Sequence, residues 1–296
     1  MIGGQEITFY REHGYLVVPD VLSPAEVTEL QQATDAMVEG ARGLVTHDDT
    51  YDLEDSHRPD APRVRRIKFA HPRHPAYARM VAHPRILEVL KALWGPSIRF
   101  DVAKLNLKAA GYGAPVEWHQ DWAFYPHTND DLAAVGIMID DVDLENGPLL
   151  VIPGSHKGPV FDHHANGVFC GAMDPTLAEV DYGAAVPLTG KAGSITVHHC
   201  RIVHGSAANT SGRPRRLLLH QYRAADAWPL LGVTDFDDFR AKLLCGEDTL
   251  EPRLEPVPVR LPLPPAPHQG SIYENQRAAT RRYFRPVEEL TAAAGD

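Results

Sequence analysis

From residue 98 to residue 224 the chain is a series of short alternating apolar runs, each stopped by a glycine- or proline-rich turn. Strands are predicted over 98–107, 116–121, 133–139, 149–152, 184–188, 194–198 and 215–224. None is followed by the helix that a parallel crossover needs, so βαβ architectures are excluded. What remains is a mainly β fold with flanking helices, a sandwich or a barrel. A double-sheet jelly roll fits best, because it gathers strand ends from distant sequence around one mouth.

Ahead of this region, residues 5–13 read as a short helix and 14–19 as a strand. Ser23, Pro24 and Glu26 make a clear helix start: Ser23 as N-cap, proline at the first helical position, Glu26 closing a capping box. Residues 84–94 form another helix with Ile86, Val89, Leu90 and Leu93 on one side, ended by Gly95 and Pro96. Between them, 47–62 is polar, acidic and turn-rich. It is a solvated loop, or a lid whose acids meet a cationic part of a substrate. Residues 63–69 alternate as a strand.

Past residue 230, Thr234 is read as capping a helix with Phe236, Phe239 and Leu243 on one face. The proline-rich stretch 252–267 cannot feed a central ladder. It is an edge strand or a polyproline II segment lying on the body. The tail after Pro286 is assigned to a surface or an oligomer contact. Residues 1–296 are read as one domain, with 225–296 a helical and proline-rich extension packed on the core.

The formal charge of −10 opposes a nucleic-acid binder that works by displacing counterions. The charge is uneven, with eleven Lys or Arg in residues 63–108 against Glu88 and Asp101. These cations form either a solvated face paired with the acidic remainder or a positive funnel for an anionic substrate or cosubstrate. Cys170, Cys200 and Cys245 are widely spaced and odd in number, so no disulfide framework is expected. No run reaches the length of a membrane span, and the N-terminus lacks a basic-then-apolar leader. The expectation is a soluble, cytoplasmic protein, a monomer or homodimer, that meets a small molecule and neither nucleic acid nor membrane.

Val116-Glu-Trp-His-Gln-Asp121 carries an imidazole and a carboxylate two residues apart. Side chains alternate along a strand, so His119 and Asp121 face one way while Trp118, Gln120 and Trp122 face the other. Two donors can grip a metal but cannot close its site. His204 is the candidate third ligand, with Gly205 and Ser206 after it allowing close backbone approach. Among sixteen histidines a His-x-Asp pair is also read as ordinary surface or core residues. His198-His199 competes as third ligand, although adjacent strand residues face opposite ways. His163-His164 is assigned to solvent or a lid.

Two histidines, one carboxylate and open positions form the facial triad of a non-haem Fe(II) oxygenase. A zinc hydrolase could use the same donors, and a non-catalytic jelly-roll binding module is a third reading. Arg215 opens an apolar strand, where a guanidinium is costly unless an anion meets it. That anion is a protein carboxylate or a dicarboxylate cosubstrate held by a bidentate contact. On the substrate side, Trp122 either stacks on substrate or packs in the core, and Phe124 and Tyr125 form a lid edge. Arg223, in phase with Arg215, binds an anionic substrate or makes a salt bridge at the strand end.

Glu117-Trp-His-Gln-Asp-Trp122, Glu145-Asn-Gly-Pro148, Ile152-Pro-Gly-Ser-His-Lys157, His204-Gly-Ser206 and Arg215 occur in this order. Together they resemble the phytanoyl-CoA dioxygenase family over residues 7–224. The resemblance implies a double-stranded β-helix (jelly-roll, cupin-like) core. It implies an Fe(II)- and 2-oxoglutarate-dependent dioxygenase that uses dioxygen to hydroxylate an unactivated C–H bond of a small molecule, releasing succinate and carbon dioxide. It implies His119, Asp121 and His204 as iron ligands, Arg215 as partner of the distal carboxylate of 2-oxoglutarate, and Ser206 as its assistant. Asn106 is similar to an asparagine that contacts 2-oxoglutarate in the ectoine-hydroxylase branch. Ile137 stands where phytanoyl-CoA hydroxylase carries a tryptophan, a departure that weakens the case for an acyl-CoA substrate. Halogenating relatives lack the acidic ligand, so Asp121 implies hydroxylation. The motifs leave the substrate open among an amino-acid derivative, a small phosphonate or carboxylate, and a natural-product intermediate.

Overall fold

The computed structural model describes residues 2–266, 271–287 and 289–290. Its first elements are α1 (Gly4–His13), β1 (Tyr15–Val18), α2 (Pro24–Glu39), β2 (Tyr51–Leu53), β3 (Val64–Ile67), α3 (Ala70–Arg73), α4 (Pro75–Val81) and α5 (Pro84–Trp94). The strands β4 (Ile98–Lys108), β5 (Val116–His119), β6 (Leu132–Met138), β7 (Leu149–Val151), β8 (His164–Ala165) and β9 (Val168–Phe169) follow. Then come β10 (Val186–Leu188), β11 (Ile195–His199), β12 (His204–Ser206), β13 (Arg215–Ala224), α6 (Phe236–Ala241), β14 (Leu243–Cys245) and α7 (Ile272–Asn275).

Antiparallel pairing assembles two main sheets. The larger runs β1-β11-β6-β13-β4-β3-β2, with β14 also on β4, and the smaller runs β10-β7-β12-β5. This is the double-stranded β-helix, mainly β with flanking helices. Alternation divides each long strand of the large sheet between two environments. In β4, Ala103, Leu105 and Leu107 join the main core against the helices, while Lys104 and Asn106 face the other way, toward the small sheet. In β13, Leu218 and Tyr222 join that core, while Arg215, Leu217 and Leu219 face the mouth. The helices supply the other half of the core. α5 buries Ile86, Val89, Leu90 and Leu93, each contributing roughly 1.5–3 kcal/mol.

Local signals explain most boundaries. Ser23 accepts from the Glu26 amide at 3.3 Å, and Glu26 reaches back to the Ser23 amide at 2.8 Å. Gly14, at φ 82°, ends α1 in a left-handed turn that a side chain would strain. Several expectations need correction. The 116–121 strand stops at His119, because Asp121 opens a 3-10 turn, Asp121–Ala123. The acidic stretch 47–62 contains β2, paired with β3. The sequence reading assigns no element to α3 and α4, although His74 accepting from the Ala76 amide ahead of Pro75 is an N-terminal signal. The 157–180 connection holds the β8–β9 hairpin. Asp235, not Thr234, caps α6, and Leu243 lies on β14 rather than on the helix.

The proline-rich stretch joins no sheet over its described part, residues 252–266. It lies along the body instead: the amides of Glu255 and Phe169 donate to Thr128 and Pro264. Pro267 and most of the tail beyond Glu289 are outside the described residues. No described helix is long and apolar enough to cross a membrane. All three cysteines are free.

Candidate metal centre

Strands β5 and β12 pair so that His119 faces His204 directly across the ladder. Their rings lie 4.0 Å apart, centroid to centroid. Asp121 follows from the 3-10 turn, its Oδ1 3.8 Å from His119 Nε2 and 3.9 Å from His204 Nε2. One ligand atom from each of the three lies within 4.8 Å of the others, and all three side chains are buried. Gly205 makes this approach feasible: a Cβ there would meet Phe284 at 2.9 Å and the Val116 carbonyl at 3.0 Å.

The imidazoles are held in one tautomer. His119 Nδ1 donates to the Glu117 carbonyl at 2.8 Å, and His204 Nδ1 donates to the Ile202 carbonyl at 2.9 Å. Each Nε2 therefore presents its lone pair to the shared space. Burial lowers His119 to about 4, against the pull of Asp121, and holds His204 well below its ordinary value. Burial works to raise Asp121, but His198, His204 and Lys104 outweigh it and hold that carboxyl well below the usual range. Neutral imidazoles beside an ionised carboxylate are the donor set a divalent transition metal requires. The three residues fit an iron ion.

The same pocket receives Arg215, Ser206 and Asn106. Arg215 is buried. Its Nε and one terminal nitrogen donate to the Gly147 carbonyl at 3.1 and 2.8 Å, and no carboxylate among the described residues pairs with it. Burial lowers it to about 10. Asn106 leaves its Oδ1 buried and unpartnered. A buried guanidinium without a carboxylate is what a dicarboxylate cosubstrate would complete, and the Asn106 amide lies beside it with N–H donors that could meet the same anion. The ion-pair alternative for Arg215 does not form.

The four substrate-side expectations divide. Phe124 and Tyr125 line a cavity of about 420 Å³ that also touches Asp121. Trp122 is fully buried and donates from its Nε1 to the Pro258 carbonyl at 2.9 Å, which is its core-packing reading. Arg223 is not brought to the centre. It keeps the face of Arg215 but lies eight residues farther along β13, where it ion-pairs with Asp101 and faces a different cavity. Of the adjacent histidines, His198 turns inward, its Nε2 3.6 Å from Asp121 Oδ2, while His199 turns to Asp130. Of the pair at 163–164, His163 is buried and accepts from the Gln120 amide at 2.9 Å. The acids Glu54 and Asp55 line a cavity away from the triad.

Three residues near the centre escaped the sequence reading. Lys104 lines the metal pocket. Its signal was the in-phase spacing Lys104, Asn106, Lys108. Ile272 and Tyr273 reach the same pocket from α7, far beyond the alternating region, and the Tyr273 hydroxyl is buried without a partner.

Comparison with known proteins agrees with this geometry. The family model of phytanoyl-CoA dioxygenase (PhyH) matches residues 10–217. A protein of Stutzerimonas stutzeri named probable alpha-ketoglutarate-dependent hypophosphite dioxygenase is 37% identical, covering 93% of this chain and 97% of its own length. The L-proline trans-4-hydroxylase of Streptomyces griseoviridis is 31% identical over 74% of this chain and 86% of its own. Among solved structures, EctD from S. alaskensis with 2-oxoglutarate and 5-hydroxyectoine superposes with a TM-score of 0.64 at 27% identity, covering 88% of each chain.

Proposed function

The chain belongs to the phytanoyl-CoA dioxygenase family, and from that premise we propose a division of labour among its residues. The enzyme is an Fe(II)- and 2-oxoglutarate-dependent dioxygenase. We assign His119, Asp121 and His204 to the iron, and Arg215, Ser206 and Asn106 to 2-oxoglutarate. The observation that carries this is the joint pocket: a buried His-Asp-His triad and a buried arginine without a carboxylate face one space. When bound, iron and 2-oxoglutarate supply the activation of dioxygen. One oxygen atom goes into the X–H bond of the substrate and the other into the carboxylate of succinate, with loss of carbon dioxide.

The protein's own part is positioning. The Nδ1 donations of His119 and His204 fix where both Nε2 atoms point. Asp121 stays ionised and contributes the negative charge that offsets the metal. His198 sits at its other oxygen and orients it. Arg215 would hold the far carboxylate of the cosubstrate and so orient it in the pocket. Phe124 walls the site next to His119, its ring 6.0 Å from the imidazole, and excludes water.

For the substrate we propose a small oxyanion. The relative named for hypophosphite supports this, because it matches over nearly its whole length. Hydroxylation of a C–H bond in a small organic anion and of a P–H bond in a phosphorus oxyanion need the same positioning. The family assignment displaces the zinc hydrolase and the non-catalytic module. We take residues 1–296 as one domain, a cytoplasmic monomer or homodimer acting without nucleic acid or membrane; the free cysteines support a reducing compartment.

The test is anaerobic addition of Fe(II) and then 2-oxoglutarate, following the weak visible charge-transfer band of the chelate. The parent is expected to show the band and His204→Ala to lose it. Binding of Zn(II) without any band in the Fe(II) protein would overturn the assignment.

A further inference from the structure

Most cations of the basic segment 63–108 already have partners. Arg65, Lys68, Arg79 and Arg99 pair with protein carboxylates. Arg85 and Lys108 donate to backbone carbonyls. Arg66 and Lys104 do neither. Among the described residues no hydrogen bond or ion pair reaches them, and the Nε of Arg66 is buried without an acceptor. Asp52, the cross-strand neighbour of Arg66, lies 3.0 Å from Lys68 instead.

The two cations are placed together by register. Arg66 of β3 lies opposite Asn106 of β4, and Lys104 precedes Asn106 by one alternation, so all three share a face. Both cations line the cavity of about 420 Å³, together with Asp121, Phe124, Tyr125 and Gln221. Lys104, Asp121 and Ile272 line this cavity and the metal pocket alike. The chamber therefore meets the metal centre on the Asp121 side, away from Arg215. Burial pulls both cations below their ordinary values, although Asp121 draws Lys104 back up and Asp52 does so for Arg66. Both side chains are half-buried, and a partly desolvated cation without a partner is costly, a cost that an incoming anion offsets.

We propose that Arg66 and Lys104 form the oxyanion subsite of the substrate. The guanidinium fork takes two oxygens of a phosphorus or carboxylic oxyanion, and the ammonium takes a third contact as a point charge. The rest of the substrate then lies against Asp121 and the triad, with Phe124 and Phe169 beside any apolar group. This rests on the iron and 2-oxoglutarate assignment above, in which Arg215 takes the cosubstrate and leaves this pair free.

The test loads the protein with Fe(II) and 2-oxoglutarate without dioxygen, then titrates hypophosphite, methylphosphonate and propionate while following the chelate band. Parent, Arg66→Gln, Lys104→Gln and Arg66→Lys are compared. Both cations are half-buried and unpaired, so removing either breaks no hydrogen bond or ion pair and these variants are expected to fold. At least one oxyanion should shift the parent band, and the probe that does so separates a phosphorus from a carboxylic source. Either glutamine should raise the concentration needed roughly 10- to 100-fold, Arg66→Lys should recover part of it, and the 2-oxoglutarate requirement should stay unchanged. The proposal is overturned if none of the three probes moves the parent band. It is equally overturned if the glutamine variants raise the 2-oxoglutarate requirement instead, which gives the pair to the cosubstrate. Calorimetry of the metal-free protein with the same anions needs no iron. Heats that both substitutions abolish would keep the subsite even where the chelate band fails, so the two assignments fail separately.

Discussion

Arg215 spends two of its donors on one carbonyl, that of Gly147, and keeps its charge unanswered. A carboxylate arriving there gains a charge-assisted pair in a site already dry. Arg215→Ala should therefore weaken 2-oxoglutarate by about 3 kcal/mol, roughly 100-fold, while leaving the metal in place. Titration of the chelate band measures this, and an unchanged cosubstrate affinity would remove Arg215 from the site. Glu54 makes a different prediction. It is buried, with one hydrogen bond from the Ala114 amide at 3.3 Å, and burial raises it from 4.5 to about 7 against the pull of Arg65. Between those values the folded chain holds a proton that the unfolded chain has lost. Stability should fall as pH rises through that window and level off above it, by up to about 3 kcal/mol. Glu54→Gln should be the more stable protein at pH ~8 and lose most of that slope, read as denaturant midpoints of the metal-free protein across pH; parallel curves for the two would refute it. At this scale the pair His119 and Asp121 was legible from its two-residue spacing, although Asp121 reaches the site from the turn after β5 and not by strand alternation. Arg223 misled because phase fixes the face but not the distance along the strand, and eight residues on it meets Asp101 instead of the centre.

The element that carries His119 sits at the edge of its sheet. Among the described residues β5 pairs only with β12, so its outer backbone groups need another partner. The Gln276 side chain supplies it: its oxygen accepts from the Glu117 amide at 2.9 Å, and its nitrogen donates to the carbonyls of Glu117 and Gly171 at 3.3 and 2.9 Å. Glu117 in turn accepts from the Tyr283 amide at 2.8 Å. The C-terminal segment thus replaces the missing strand and brings Ile272 and Tyr273 into the metal pocket. Gln276→Ala leaves buried backbone groups unpaired, so it should cost about 1–3 kcal/mol and loosen metal binding as β5 frays. Thermal denaturation and metal affinity should fall together; a lower melting temperature with undiminished affinity would show that the strand does not depend on this cover. Nothing in the sequence announced that partnership. Capping and period gave the start of α2 and both ends of α5 and β13 almost to the residue, because those signals are local. The cover on β5 depends on which edge is left open, and edges exist only once strands have paired.

Across the whole molecule, the jelly roll was legible from strand lengths and turns, since few architectures accept so many short antiparallel runs. Register was not, and register is what brings His119 opposite His204. The unpartnered state of Lys104 and Arg66 was hidden for the same reason, although the excess of basic residues in 63–108 marked the neighbourhood. The triad joins β5, the turn after it and β12, and these segments form one site only when both strands are in place. A metal that binds this folded arrangement and not the unfolded chain must stabilise the fold by mass action. At a hundred times its dissociation constant the gain is about 2.7 kcal/mol, worth roughly 5 °C for a chain of this size. Fe(II) or Mn(II) added without dioxygen should raise the melting temperature by that order, and a chelator should reverse it. Asp121→Ala should abolish the rise because the anionic ligand is lost. Arg215→Ala should retain it, because that residue meets the cosubstrate and not the metal. A rise that survives Asp121→Ala would mean the ion binds elsewhere on this acidic chain, and the three-residue centre would have to be abandoned.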